Sequence, residues 1–354
     1  MAAHGDRPAS GASGEAAAGS NGPAARPLVS LLLIAFNQQA TVGEAIAGAL
    51  SQTYSPLEVL ISDDASSDDT FSAMQAAVAA YRGPHRVLLN RNPSNLGIGA
   101  HLSHLVSISH GELLFVAAGD DVSLPQRCER VVAAWLAADK QPDLIASALV
   151  DLDADGKTHA TITPSDLASY RNAADWIARP PHVVGAAQAW TRRLFDRFGA
   201  LPGGVVAEDL IMVFRAIVSG GALTLAEPLV RYRRGGLSGR RRAMSAAQVV
   251  ERWRRNSRHS LVELPLLLED ARLAGQLVAV EAPLRAQLAR ETLVRNVFST
   301  ERRGERARLL LRAGEVPLAQ RLRIAVYAVC PALLAPLFAA KRLRATQTRR
   351  SAHG

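Results

Sequence analysis

Val29-Ser-Leu-Leu-Leu-Ile34 and Glu58-Val-Leu-Ile-Ser62-Asp63-Asp64 decide how this chain is read. Each is a short, mostly apolar run, the pattern of a parallel strand buried on both faces. Between them, Val42, Ala45, Ile46, Ala49 and Leu50 keep helical spacing. Thr41-Val-Gly-Glu44 has the form of a capping box at the start of that helix, and Tyr54-Ser-Pro56 ends it. The unit is therefore strand, helix, strand.

The same alternation continues downstream. Phe71, Met74, Val78 and Tyr81 mark a second helix, and Val87-Leu-Leu-Asn90 a third strand. A helix follows over 97–109, then Leu113-Leu-Phe-Val-Ala117 as another buried strand. Strands alternating with amphipathic helices predict a mostly parallel, doubly wound α/β sheet. Ligands of such sheets bind at the carboxyl ends of the strands. Past residue 151 the pattern loosens, and from 244 it becomes helical, rich in Leu, Ala and Arg. The expected division is a disordered tail over 1–27, an α/β domain over 28–243, and a helical region over 244–354.

Hydrophobic residues make up 48% of the 354, enough for a sizeable core. The net charge is +9, almost all of it from arginine, since lysine stands only at 140, 157 and 341. Arginine suits phosphate and carboxylate, so nucleic acid, an anionic membrane face and a phosphorylated substrate all fit the charge. Cys128 and Cys330 lack metal-ligand spacing and read as buried or incidental thiols of a reducing cytoplasm. No apolar run reaches the ~20 uncharged residues of a spanning helix, and the opening segment lacks the apolar core of a secretory signal.

Chemistry concentrates where two strands end, at Asp63-Asp64 and at Gly119-Asp120-Asp121. Adjacent carboxylates repel and lose hydration unless a cation or a donor meets them. Mg²⁺ characteristically shares one or two carboxylates with substrate phosphates. Either pair alone is equally well a turn or a helix cap; two pairs at two strand ends favour a site.

The ordered set of motifs resembles the family 2 inverting glycosyltransferases. Val29-Ser-Leu-Leu-Leu-Ile-Ala-Phe-Asn37, Leu50-Ser-Gln-Thr-Tyr54 and Ile61-Ser-Asp-Asp-Ala-Ser-Ser-Asp-Asp-Thr70 carry its first part. Asn95-Leu-Gly97, Gly111-Glu112, Gly119-Asp-Asp-Val-Ser-Leu-Pro125, Ala207-Glu-Asp209 with Arg215, and Tyr232-Arg-Arg-Gly-Gly-Leu-Ser238 continue it in order. The resemblance covers about residues 28–240. It implies a GT-A nucleotide-diphospho-sugar transferase fold, a Rossmann-like mixed sheet between helices, with a helical C-terminal extension.

By position it implies that Asp64, with Asp63 beside it, meets the nucleotide base, and that Ala35, Asn37, Arg91 and Gly97 line the donor. Asp120 and Asp121 would hold Mg²⁺ or Mn²⁺ with the diphosphate, and Asp209 would be the general base. Glu208 would orient Asp209 or meet the acceptor. Arg233 and Arg234, with Arg231, resemble a basic loop that closes over the donor. Two departures stand out: Ala118 occupies the first place of the usual Asp-x-Asp, and Gly235 the place of a histidine after the arginines. The implied donor is a nucleotide sugar, UDP by default. The acceptor would be a glycan, a lipid-linked glycan or a small molecule in cell-surface polysaccharide synthesis.

Other features carry weaker readings. His101, His104 and His110 have a spacing that could suit a metal, but a polar helix face is the simpler expectation. Trp135, Trp176 and Trp190 are expected in the core, with sugar stacking the alternative for the last two. Arg252, Arg254, Arg255 and Arg258 read as a solvated helix face. The uncharged run 324–340, within basic flanks over 321–344, fits an interfacial membrane helix or a buried hairpin equally well.

A nucleotidyltransferase or NAD enzyme would place a glycine-rich loop after the first strand, where Phe36-Asn-Gln-Gln39 stands. Nucleic-acid binding lacks aromatic platforms or a motif. A non-catalytic nucleotide-sugar-binding scaffold stays open, set against the joint presence of Asp64, Asp120, Asp121 and Asp209. The sequence reading is thus a metal-dependent glycosyltransferase, cytoplasmic and peripheral to the membrane, with homo-oligomerisation left open.

Overall fold

The structure is a computed structural model that describes Met1 and residues 26–153, 156–233 and 245–329. The tail at 2–25, Arg234, Gly235, the boundary near 243, Cys330 and most of the 324–340 run lie outside the described residues.

The α/β part runs β1 (Val29–Ala35), α1 (Val42–Leu50), β2 (Leu57–Asp63), α2 (Thr70–Ala80), β3 (Arg86–Arg91), α3 (Ile98–Ile108), β4 (Leu113–Ala118) and β5 (Val122–Ser123). It continues with α4 (Arg127–Ala137), β6 (Leu144–Leu152), β7 (Thr158–Ile162), α5 (Ala173–Ala178), β8 (Gln188–Thr191), α6 (Arg192–Phe198), α7 (Glu208–Ile217) and β9 (Ala222–Arg233). Four helices follow: α8 (Ala246–Leu273), α9 (Leu277–Ser299), α10 (Arg303–Arg312) and α11 (Leu318–Val329).

The sheet order is β3-β2-β1-β4-β8-β6-β9-β5, with β7 on β6. The first four strands are parallel, as their apolar runs predict. Beyond β4 the sheet becomes mixed, because β8 pairs antiparallel with both β4 and β6. The loosened pattern after residue 151 therefore conceals more sheet. β9 carries Pro228, and its pairing with β6 shifts register on either side of Ala148; proline donates no ladder hydrogen bond, so the strand signal is broken where the sheet is.

Two apolar layers sandwich the sheet. Leu31, Leu33, Val59, Ile61, Phe115 and Cys128 belong to one, with α1, α2 and α4. Leu32, Leu60, Leu114, Trp176, Trp190 and Phe214 belong to the other. Trp135, Trp176 and Trp190 are all buried, so their ring surface is used for core packing. Leu264, Leu267 and Ala271 of α8, and Val280 and Leu284 of α9, join that second layer. The helical region thus shares a core with the sheet, while its outer part packs around Val294, Val297, Leu310 and Ile324.

The expected capping box at α1 does not form. Thr41 makes no side-chain cap bond; its hydroxyl instead donates to the carbonyl of Gly119 at 2.9 Å. That bond ties the start of α1 to the turn after β4.

Candidate active site

The parallel register aligns the strand ends that carry the chemistry. Ala35 stands opposite Asp63, Asp63 opposite Arg91, and Ile34 opposite Ala118. Ala35, Asp63 and Arg91 therefore form one row at the carboxyl edge of the sheet, where ligands of this architecture bind.

Asp63 is fully buried. Its Oδ2 accepts the Ser66 amide at 3.1 Å and lies 3.1 Å from Arg91 Nε. Its Oδ1 has no hydrogen-bond partner among the described residues. Arg91 lies over the Phe71 ring and donates to the carbonyl of Ser66 at 3.0 Å. Asn37 closes the same corner: its amide donates to Ser66 Oγ at 2.8 Å and its Oδ1 accepts the Ser67 amide at 2.9 Å. Asn37 and Ala65 both adopt positive φ, 52° and 60°. Asparagine tolerates that region, whereas alanine is strained there.

Asp64 is turned to the neighbouring loop. Its carboxylate accepts from Asn92 Nδ2 at 2.7 Å, the Leu96 amide at 2.9 Å and the Gly97 amide at 3.0 Å. Three donors on one carboxylate fix the loop leading into α3. His101 is buried rather than on an exposed helix face: it bonds Ser62 Oγ at 2.6 Å, with Nδ1 3.9 Å from Asp64 Oδ1. Burial lowers its pKa to about 4, so at neutral pH it is an uncharged hydrogen-bond partner beneath the loop.

The Asp120-Asp121 turn is built against β1 and β9. A Cβ on Gly119 would meet Ala35 Cβ and Gln38 Oε1 at 2.6 Å, so only glycine lets the turn approach. Asp121 is 5% exposed, and its Oδ1 accepts the Arg233 amide at 2.8 Å. Burial, reinforced by the adjacent Asp120 charge, pushes its pKa to about 8. Burial also raises Asp120, opposed by Gln38 and Arg233. Arg231 and Arg233 belong to strand β9 rather than to a loop, with Arg231 paired to Val122. Arg233 donates to Glu44 at 2.8 Å and lies 3.3 Å from the Asp120 carbonyl.

Asp209 and Glu208 open α7. Glu208 is buried against the turn Gly185–Ala187, where a Cβ on Gly185 would come within 2.7 Å of its Oε1. Burial, then the Asp209 charge, raises Glu208 well above the ordinary carboxylate range. Asp209 is raised to about 6, chiefly by burial and further by Glu263; the Leu210 amide and His182 oppose the shift.

A buried link joins the two acidic places. Arg127, whose charge lies near Asp121, donates to Ser123 Oγ and to the carbonyls of Val116 and Gln188. Gln188 Nε2 in turn donates to the Asp209 carbonyl at 3.2 Å. Arg127, Gln188, Gln38 and Glu263 escape a motif reading, and His101 stands out in the sequence only for its spacing to His104 and His110. Of the first four, only Arg127 left a trace, standing four residues after Ser123 at the start of α4, where the two residues meet.

The donor set at Asp120 and Asp121 suits a hard divalent cation. Two adjacent carboxylates, both raised by burial, are relieved when a cation neutralises them. Among the described residues no group of three or more His, Cys, Asp or Glu side chains is poised on a metal, so a cation at Asp120 and Asp121 would meet two carboxylates and need further ligands. That division is usual for Mg²⁺ shared with phosphates.

Residues 30–192 match the model of glycosyl transferase family 2. That stretch, a little under half of the chain, is similar to the family, and the fold around it is of the GT-A type. EpsE of Bacillus subtilis, which bears a glycosyltransferase name, is 32% identical over 139 residues, 39% of this chain and 49% of EpsE. The succinoglycan biosynthesis protein ExoU of Rhizobium meliloti is 33% identical over 128 residues, 36% of this chain and 34% of ExoU. The matches thus span half or less of these relatives. Among solved structures, the mannosyltransferase PcManGT of Pyrobaculum calidifontis, in complex with GDP-Man and Mn²⁺, shares the fold at TM-score 0.50 and 17% identity, covering 91% of this chain and 88% of that one. Asp209 and the helices after β9 lie beyond the family-matched residues, so their roles rest on the geometry above.

Proposed function

We propose that this chain is an inverting glycosyltransferase that moves a sugar from a nucleoside-diphosphate donor to an acceptor hydroxyl, with Asp209 as base. The observation that carries this reading is the link through Arg127 and Gln188 between Asp209, a half-buried carboxylate held near pKa 6, and the strand-end turn that carries Asp120 and Asp121. A base is most effective when its pKa lies near the working pH.

In this reading Asp209 accepts the acceptor hydroxyl proton as that oxygen attacks the anomeric carbon. The bond from that carbon to the diphosphate oxygen breaks on the opposite face, and the nucleoside diphosphate leaves with inversion. Asp120 and Asp121 would hold Mg²⁺ or Mn²⁺, which supplies charge neutralisation at the leaving diphosphate. Arg233, with Arg231 and Arg234, meets diphosphate when released from Glu44. Asp63 and Arg91 floor the nucleoside pocket; Asp64 holds the loop ending in Gly97 at its rim, beside Ala35 and Asn37.

The kinship to ExoU, named for succinoglycan biosynthesis, favours an acceptor in polysaccharide synthesis, free or lipid-linked. Among the described residues no helix is long and apolar enough to cross a membrane. A cytoplasmic enzyme touching the membrane through 321–344 fits that acceptor class. UDP is the first donor nucleotide to test, with GDP and dTDP beside it. The test is nucleotide release and sugar transfer from a panel of UDP-, GDP- and dTDP-sugars in Mn²⁺, comparing wild type with Asp209→Asn. Transfer by both proteins alike would remove Asp209 from the chemistry.

A further inference from the structure

The helix that carries Asp209 begins without a cap of its own. Ala207 occupies the N-cap position and has no side chain that could accept a hydrogen bond. A helix start leaves amides unsatisfied, and a buried helix end needs them met. The Leu210 amide is met by Asp209 Oδ1 at 2.8 Å, and the backbone just ahead of the first turn is held from the C-terminal region: Glu263 Oε1, on α8, accepts both the Val206 and the Ala207 amides at 2.9 Å. The same face of α8 is fixed independently, with His259 Nδ1 3.1 Å from the Gly204 carbonyl and Asp270 paired to Arg215 of α7.

The charge placed there is also unusual. An anion at a helix N-terminus is favourable in itself, but Glu208 and Asp209 already supply two carboxylates to this one. The groups facing Asp209 are Glu208 on its own helix, Glu263 from α8 and His182 from the segment before Gly185. No side chain from the turn Gly185–Ala187 brings a charge.

We propose that Glu263 is a positioning residue for Asp209: it clamps the backbone at the start of α7 and keeps a negative charge beside the base. The proposal rests on the reading of Asp209 as base, and it makes the C-terminal helices part of the site rather than an appendage. Glu263 acts through two backbone amides and through its field, with no contact to the reacting atoms.

The test uses the full-length chain labelled with ¹³C at Asp and Glu carboxyls, comparing wild type, Glu263→Gln and Glu263→Ala. Asp209 is assigned by the signal lost in Asp209→Asn. Glutamine keeps an acceptor oxygen but no charge, so it separates the clamp from the field. The expected result is a fall of the Asp209 midpoint by about half a pH unit or more in Glu263→Gln. The Val206 and Ala207 amides should stay slow to exchange in that variant and exchange roughly tenfold or more faster in Glu263→Ala. A cap with a purely structural role would leave the Asp209 midpoint unmoved in Glu263→Gln. That outcome, or equal protection of the two amides in Glu263→Ala, overturns the proposal. Neither readout needs turnover, so a failure of the base assignment, seen as sugar transfer by Asp209→Asn, is told apart from a failure here.

Discussion

Arg215 of α7 and Asp270 of α8 form a two-pronged ion pair, Nε to Oδ2 at 2.8 Å and Nη2 to Oδ1 at 3.2 Å, with the side chains 0% and 1% exposed. Arg215 also donates to the Gly199 carbonyl at 2.8 Å. Burial raises the Asp270 carboxyl despite its partner, as expected where desolvation competes with attraction. The pair locks the C-terminal helices to the helix that opens with Asp209.

Removing one partner strands the other charge in the core. Asp270→Ala should therefore cost about 3–5 kcal/mol of stability, as for other broken buried pairs. Denaturant unfolding followed by circular dichroism measures this, and a loss below ~1 kcal/mol, typical of a solvent-exposed pair, would show that the pair is hydrated in solution.

Asp209 sets a pH dependence. Its folded pKa is raised by burial to about 6 from the ordinary aspartate value of 3.8, so below about 6 the proposed base is protonated and turnover should fall. The linkage sign follows from the same shift. Between those two values the folded chain binds the proton that the unfolded chain has released, so this group's contribution to stability diminishes as pH rises through the window. A pH profile of kcat/KM in wild type, with its acidic limb near 6, checks the kinetic half; a limb near 4 would contradict it.

Asp209→Asn keeps the shape of the site and removes the proposed proton acceptor. Transfer should drop by roughly 10²–10⁴-fold, the usual contribution of a general base. Donor affinity, measured by calorimetry with UDP and Mn²⁺, should change by less than about threefold if the residue serves chemistry alone.

Ala65 offers a test of strain. It holds φ 60° in the loop between Asp64 and Ser66, a region that costs an L-residue about 1 kcal/mol and glycine little. Ala65→Gly should be neutral to stabilising by up to ~1 kcal/mol in thermal unfolding, whereas replacement by valine should destabilise.

Much of this was legible in the sequence because it is local. The runs at 29–34, 58–62 and 113–117 announce buried parallel strands, and the aspartates that follow fall at their ends for geometric reasons. What was illegible is non-local or irregular. The four-residue β8 is too short to show a period, and β9 is interrupted by Pro228. Thr41 looks like a helix cap but spends its hydroxyl on Gly119, a partner 78 positions away. Glu263 caps a helix more than fifty residues upstream, and Arg127 joins the two acidic places only through the folded sheet. Such side chains carry no local pattern, since their partners are set by tertiary packing.

The central claim, donor binding at a carboxylate-held cation, is tested most directly by thermal shift of the full-length chain with UDP, dTDP, GDP or CDP, each with and without Mn²⁺. Binding to the folded state raises the melting temperature by mass action. The account predicts that one nucleotide does so only when Mn²⁺ is present, and that Asp121→Ala abolishes the effect. Failure of all four to stabilise well-folded protein in Mn²⁺ would contradict it and turn attention to a non-catalytic role.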